Sequence, residues 1–183
     1  MKKHQVDHVL RAAGRITDET RFIIIGSQSL HGRYPDLADE IAMSQEVDLI
    51  ATGNADRTEW LNAIGVDSPF HAEFGYYADP VDEKTAILPK GWKGRLVNLP
   101  AGESGGVLGL CLDPHDLAIS KYVARREKDI EFNRALAERG LVQRQRLLEL
   151  VADTPVDDDA KARIRAYIEG DFNPPKPGRK TRR

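Results

Sequence analysis

The sequence predicts an α/β fold in which a β-sheet core is followed by a helical extension. Short apolar runs that end at small or turn-forming residues, as at positions 22–25 and 46–51, are typical of buried strands. From Asp113 onward, apolar residues instead recur at helical spacing. We therefore expect an α/β core over residues 1–112, a helical part over 113–170 and a disordered basic tail over 171–183.

Composition limits the function classes. The 183 residues are 40% hydrophobic and 31% charged, which suits one folded domain with a small extension and argues against disorder. A net charge of −2 argues against a molecule that binds nucleic acid over its whole surface. The single cysteine, Cys111, suits a reducing cytoplasm, and we expect it to be a small core residue. No apolar run approaches the ~20 residues of a membrane span, so we expect a cytoplasmic protein without a membrane partner.

The first helix is predicted from Val6, Val9, Leu10 and Ala13, with Gly14 as its end, and should cover the sheet. After the strand at 22–25 come two small residues, Gly26 and Ser27, and Ser27 is a suitable N-cap for a short helix. A strand, a tight turn and a helix N-terminus present backbone N–H groups that no side chain blocks. This combination predicts a phosphate site.

The strand at 46–51 carries two carboxylates. Glu46 and Asp48 are two residues apart and share a face, while Val47 points into the core. Adjacent carboxylates repel each other, so stability alone seldom explains them. They are suited to bind a divalent cation that also contacts nucleotide phosphates, although such a pair is also common on a solvated edge strand.

Weaker patterns fill the middle of the chain. Residues 35–41 read as a helix with Leu37 and Ile41 on its apolar side and acidic residues in solvent, and Asp56 reads as the cap of a helix that Gly65 ends. His71 and Glu73 are interpreted as loop residues. Strands are predicted at 74–77, 86–88, 95–99 and 107–112, with the glycine-rich segment 102–106 as a hairpin loop.

Asp113 and Pro114 predict the cap and first residue of a long helix that continues through residue 129. Lys121 lies beside the apolar side of this helix. It either extends to solvent or holds an anion, and the pattern supports both interpretations equally. Asp129 follows two helical turns later on the same side.

Further helices are predicted up to Gly140, around Leu147, and from the cap Asp157 to Gly170. The tail that follows contains prolines and basic residues without core residues. It is either a solvated end or a loose contact for RNA phosphates.

The order of these motifs resembles the AbiEii-like nucleotidyltransferases, polymerase-β-type enzymes found as toxins of bacterial toxin–antitoxin pairs. The resemblance covers about residues 22–141 and includes the segments 115–121 and 126–132. It implies a mixed β-sheet nucleotidyltransferase core with flanking helices. Matched residue by residue, it implies a site formed by Gly26, Ser27, Glu46, Asp48, Lys121 and Asp129.

The resemblance also implies a reaction, the transfer of a nucleoside monophosphate from a nucleoside triphosphate. Glu46 and Asp48 would bind Mg²⁺ (or Mn²⁺), and Gly26, Ser27 and Lys121 would bind the phosphates. Asp129 would either orient Lys121 or act as a base. An RNA 3′ end, a protein hydroxyl and a small molecule are the candidate acceptors, and a cognate antitoxin is a candidate partner.

The sequence departs from the pattern of these enzymes at two points, and both departures leave an alternative function open. The first metal-binding acid is Glu46 where the toxins usually have aspartate. The segment 95–99 also carries no acid, whereas many polymerase-β-type enzymes have a third carboxylate on such a strand. Both departures also fit a catalytically inactive relative that binds a nucleotide or a protein partner.

Overall fold

A five-stranded mixed sheet forms the centre of the computed structural model, which describes residues 1–36 and 41–173. The spatial order of the strands is β3-β2-β1-β5-β4. Strand β1 pairs with β2 antiparallel and with β5 parallel, β3 is parallel to β2, and β4 is antiparallel to β5. The strands are β1 (Arg21–Ile25), β2 (Glu46–Ala51), β3 (Tyr77–Pro80), β4 (Val97–Asn98) and β5 (Leu108–Cys111). The predicted mixed α/β architecture is confirmed.

Helices flank both faces of this sheet. The α-helices are α1 (Lys3–Thr17), α2 (Pro69–Phe74), α3 (Pro114–Ala124), α4 (Glu127–Glu138), α5 (Arg144–Ala152) and α6 (Asp158–Phe172). Short 3₁₀ helices occupy Ser27–Gly32, Ala55–Ile64 and Trp92–Arg95. Within residues 1–36 and 41–173, none of the helices combines the length and the apolar character needed to span a bilayer.

The side chains of β1 point alternately to the two faces of the sheet, and each face has its own hydrophobic core. Phe22 and Ile24 are buried on one face, which we call the back, against α1 and the 55–64 helix. Ile23 and Ile25 are buried on the opposite, front face against α3 to α6. Cys111 is fully buried, as predicted, and burial raises the pKa of its thiol to about 12.

Several helix ends differ from the prediction. Helix α1 passes Gly14 and runs to Thr17, because Val107 packs against Gly14 and the left-handed residue that ends the helix is Asp18. Ser27 is not an N-cap: it is the first residue of its 3₁₀ helix, and Gly26 precedes it as the cap. The cap of the 55–64 helix is Asn54, whose side chain accepts a hydrogen bond from the Asp56 N–H.

The strand predicted at 74–77 is largely wrong. Residues 69–74 form α2 because Ser68 caps it and Pro69 opens it, and Gly75 ends it with a φ of +73°. His71 and Glu73 therefore lie on a helix and not in a loop.

Residues 86–88 form no strand, and the strand predicted at 95–99 shortens to β4 because the 3₁₀ helix occupies Trp92–Arg95. The hairpin around 102–106 is confirmed by the β4–β5 pairing. The core of the helix predicted at 35–41 and the tail beyond 173 lie outside the described residues.

The single long helix predicted after Asp113 is two helices. Arg125 has a φ of +53°, which ends α3, and α4 begins at Glu127. Asp113 and Asp157 are caps as predicted, while α6 continues past Gly170 to Phe172. The break at Arg125 changes the direction of the chain, so Lys121 and Asp129 meet across two helices.

Candidate active site

A cleft of about 990 Å³ lies between the front face of the sheet and helices α3 and α4. Five of the residues singled out from the sequence line it: Gly26, Ser27, Glu46, Asp48 and Lys121. The structure thus brings residues that are up to 95 positions apart in the chain to one site. We call this space the active-site cleft.

The cleft contains a third carboxylate, Asp79. Strand β3 pairs with β2 so that Asp79 lies opposite Asp48, which places both on the front face beside Glu46. Among the described residues, no hydrogen bond or ion pair holds any of these three carboxylates. Burial, followed by the charges of Asp79 and Glu46, raises the pKa of Asp48 to about 6. Burial, followed by the charge of Glu46, also raises the pKa of Asp79.

The turn after β1 lies directly against this carboxylate group. Gly26 has a φ of +68°, and a Cβ atom at this position would overlap the Asp48 carboxylate. Ser27 Oγ lies 2.9 Å from Ser44 Oγ, and Gln28 Nε2 donates to the same Ser44 oxygen at 2.9 Å. These side-chain contacts fix the turn beside the segment that precedes β2.

Lys121 points inward and not to bulk solvent. Its Nζ donates to Asp129 Oδ1 at 3.1 Å and lies 4.4 Å from the centre of the Phe132 ring, and its side chain is only 11% exposed. Burial lowers the pKa of the Lys121 ammonium, while the Asp129 carboxylate raises it in part. Lys121 therefore does not extend to solvent: the anion that it holds among the described residues is the Asp129 carboxylate, and its side chain also lines the cleft.

Asp129 is fully buried and does not line the cleft. It accepts hydrogen bonds from Arg126 Nε at 2.8 Å and from the Arg126 backbone N–H at 3.2 Å, in addition to the bond from Lys121. Burial by itself would raise the pKa of Asp129. The hydrogen bond from Arg126 and the charge of Lys121 outweigh that effect and hold the pKa below its usual range.

The active-site cleft is lined by cations as well as by carboxylates, which include Glu131 besides the three described above. The cations are Lys121, Lys84, Arg126, Lys128 and Arg139, of which Lys121 and Arg126 are paired with Asp129. Carboxylates and cations that line one cleft would suit a metal ion and a polyphosphate, respectively. Phe132 and Val123 add apolar surface to the same cleft.

The donor set fits a hard divalent cation bound partly by substrate. Within the described parts of the chain, no three His, Cys, Asp or Glu side chains converge closely enough to hold a metal ion. Glu46 and Asp48 still present two carboxylates on one strand face, and neither carboxylate has a hydrogen-bonding partner among the described residues. Mg²⁺ is commonly bound by one or two carboxylates together with water and substrate phosphates.

Asp79 was not predicted from the sequence. The predicted strand ended at Tyr77, and a third acid was expected on residues 95–99, yet β4 lies at the opposite edge of the sheet. The signal that could have found Asp79 is period-two spacing, since Tyr77 and Asp79 share a face if the strand continues past Tyr77.

Comparison with known proteins agrees with this geometry. A family model described as "Nucleotidyltransferase of unknown function (DUF6036)" matches residues 2–167. No curated protein and no solved structure shows a significant match to the chain. The family description names no substrate and does not single out the AbiEii-like group. Because the match spans nearly the whole described chain, this protein belongs to that family of nucleotidyltransferases of unknown function.

Proposed function

We propose that the protein is a Mg²⁺-dependent nucleotidyltransferase that moves a nucleoside monophosphate from a nucleoside triphosphate to an acceptor hydroxyl. One observation carries the proposal. Three carboxylates without hydrogen-bonding partners among the described residues, Glu46, Asp48 and Asp79, line one cleft together with several cationic side chains. The glycine turn at Gly26 lies beside them.

Each residue has a role that follows from its position. Mg²⁺ bound to Glu46 and Asp48 would supply positive charge at the triphosphate and polarise its α-phosphorus. The backbone N–H groups of the Gly26–Ser27 turn and the Ser27 hydroxyl bind the β- or γ-phosphate. Lys121 donates to a phosphate oxygen on which charge develops in the transition state.

Asp129 acts as a positioning residue and not as the base. It is fully buried away from the cleft, and its two oxygens are occupied by Lys121 and Arg126. Asp79 lines the cleft, and its raised pKa suits proton transfer. The acceptor oxygen forms a bond to the α-phosphorus, the bond to pyrophosphate breaks, and the acceptor proton passes to Asp79.

The resemblance to AbiEii-like enzymes supports a finer proposal, that this transfer serves as the toxin activity of a cytoplasmic toxin–antitoxin pair. Expression of the chain in a bacterial host then arrests growth, whereas expression of the Asp48→Asn variant does not. Normal growth with an active, folded wild-type protein would exclude the toxin role and leave the transferase role intact.

The experiment for the transferase role uses α-³²P-labelled triphosphates, Mg²⁺ and a bacterial extract separated afterwards into RNA, protein and small molecules. We expect label in one fraction with the wild-type chain and none with Glu46→Gln/Asp48→Asn. Calorimetry should show that this double variant no longer binds Mg²⁺–triphosphate, while it remains folded. Equal binding by the double variant would refute the metal assignment, and tight binding without transfer would indicate an inactive relative.

A further inference from the structure

A second cavity of about 890 Å³ opens on the same front face of the sheet. Ile23 and Ile50 form its floor, and Asp79 and Val81 line both this cavity and the active-site cleft. The two spaces therefore meet at the carboxylate that we assign as proton acceptor. We call the second cavity the acceptor arm.

The two spaces differ in charge, since the acceptor arm is acidic and the active-site cleft is mixed. The acceptor arm is lined by four carboxylates, those of Glu59, Asp79, Asp82 and Glu83. Lys93 is the single cation that the described residues contribute to it, and Lys93 Nζ lies 2.6 Å from Glu83 Oε1, so that charge is already neutralised. The active-site cleft contains several cations in addition to its acids.

We propose that the acceptor arm binds the acceptor, and that the acceptor is a small hydroxyl-bearing molecule with positive charge and not a nucleic acid. The proposal rests on the transferase function above. A polyphosphate fits only the active-site cleft, because the acids of the arm repel it. A cation bound in the arm is attracted by those acids, and its hydroxyl reaches Asp79 at the junction of the two spaces.

The size of the arm agrees with this assignment. Cavities of about 300–1,000 Å³ are usual for small-molecule sites. Ile23, Ile50 and Val81 offer an apolar floor for a carbon skeleton, while Glu59 and Asp82 supply charge at the rim. Within the described residues, no cationic side chain pairs with Glu59 or Asp82. Asp82 Oδ1 accepts hydrogen bonds from the Lys84 backbone N–H and the Thr85 hydroxyl, so its other oxygen and the Glu59 carboxylate are left for a ligand.

NMR of the isoleucine methyl groups in the full chain distinguishes binding in the acceptor arm from binding in the active-site cleft. Ile23 and Ile50 report on the acceptor arm, and Ile25 and Ile87 report on the active-site cleft. The probes are 1,3-diamino-2-propanol, glycerol as its uncharged counterpart, and a short single-stranded RNA. We expect the diamine to shift Ile23 and Ile50 at concentrations at least about tenfold below those needed for glycerol, and RNA to leave both signals unchanged.

Glu59→Gln with Asp82→Asn should weaken diamine binding about tenfold, because two of the attracting charges are removed. The matched control is Glu138→Gln with Asp159→Asn, since these exposed acids line neither space, and it should bind the diamine as the wild type does. RNA that shifts Ile23 and Ile50, equal binding of glycerol and diamine, or no diamine shift at all would overturn the proposal.

Failure of the transferase function gives a different result. A non-hydrolysable triphosphate analogue with Mg²⁺ should shift Ile25 and Ile87. If it does not, the transferase assignment fails, whatever the acceptor arm binds. If it does and the diamine leaves Ile23 and Ile50 unmoved, only the acceptor inference fails.

Discussion

Gly26 and Asp48 are packed so closely that no side chain fits between them. A Cβ atom at position 26 would overlap the Asp48 carboxylate, and the backbone of Gly26 also has a φ of +68°. The turn at the end of β1 and the carboxylate of β2 therefore depend on each other. A phosphate bound at the turn would lie next to a metal ion bound at Asp48.

Replacement of Gly26 tests this relationship. Gly26→Ala should lower the free energy of unfolding by about 2–4 kcal/mol, because positive φ costs about 1–2 kcal/mol and the overlap adds to it. It should also abolish triphosphate binding. Urea denaturation and calorimetry measure the two effects.

Gly75→Ala is the matched control, since Gly75 has a φ of +73° and open space around it. Gly75→Ala should lower the free energy of unfolding only by the cost of positive φ, and it should bind triphosphate normally. Equal destabilisation by the two substitutions would show that the contact with Asp48 is unimportant.

Asp48 should make the stability of the protein depend on pH. Its pKa rises from 3.8 to about 6 on folding, so the folded state holds an extra proton between these values and stability falls as pH increases through that window. Asp48→Asn removes this cost. It should stabilise the protein by about 1–3 kcal/mol at pH 7.5 and by little at pH 4. Denaturation at several pH values checks this, and an equal gain at both pH values would contradict it.

Lys121 and Asp129 should give different kinetic signatures. Lys121→Met should reduce transfer about 100-fold or more, because a preorganised cation is lost at the phosphates. Lys121→Arg keeps the charge and should recover triphosphate binding better than rate. Transfer that persists in full with Lys121→Met would refute the role of Lys121.

Asp129→Asn acts through Lys121. Since Asp129 raises the pKa of Lys121, its neutralisation should lower that pKa further, and the alkaline limb of the rate profile should move to lower pH. A rate profile that keeps its shape while stability falls would indicate a purely structural Asp129.

Asp79→Asn should separate chemistry from binding. Loss of a general base typically costs about 10²- to 10⁴-fold in rate. The charge of Asp79 also raises the pKa of Asp48, so the variant should bind Mg²⁺–triphosphate at lower pH than the wild type. Glu73→Gln, on the exposed helix α2, is the control and should change neither property. Retention of full transfer activity by Asp79→Asn would refute its role as proton acceptor.

The sequence was most informative where one local pattern determined the structure. The strands that carry Ile25 and Asp48 were predictable because burial and period-two spacing act along a few residues. The shared cleft for Gly26, Ser27, Glu46, Asp48 and Lys121 was predicted through the family resemblance. Spacing alone would not have joined α3 to the sheet.

The errors have physical causes of their own. Arg125 adopts a left-handed conformation that non-glycine residues rarely take. The helical spacing of apolar residues therefore did not predict the break after α3. Asp79 was missed because its partner strand is far away in sequence, and pairing of β3 with β2 is a tertiary property. The acceptor arm could not be predicted for the same reason, because its lining residues come from separate segments that meet only in the folded chain.

Burial makes Cys111 unreactive towards reagents that modify thiols. Its thiol is the only one in the sequence, is fully enclosed, and has a pKa raised to about 12, so it offers almost no thiolate to alkylating reagents. A cysteine introduced at the exposed Met43, on the rim of the active-site cleft, would therefore be modified alone in the folded protein. Spin labels or fluorophores attached there can report on ligand binding in the cleft of the otherwise natural chain.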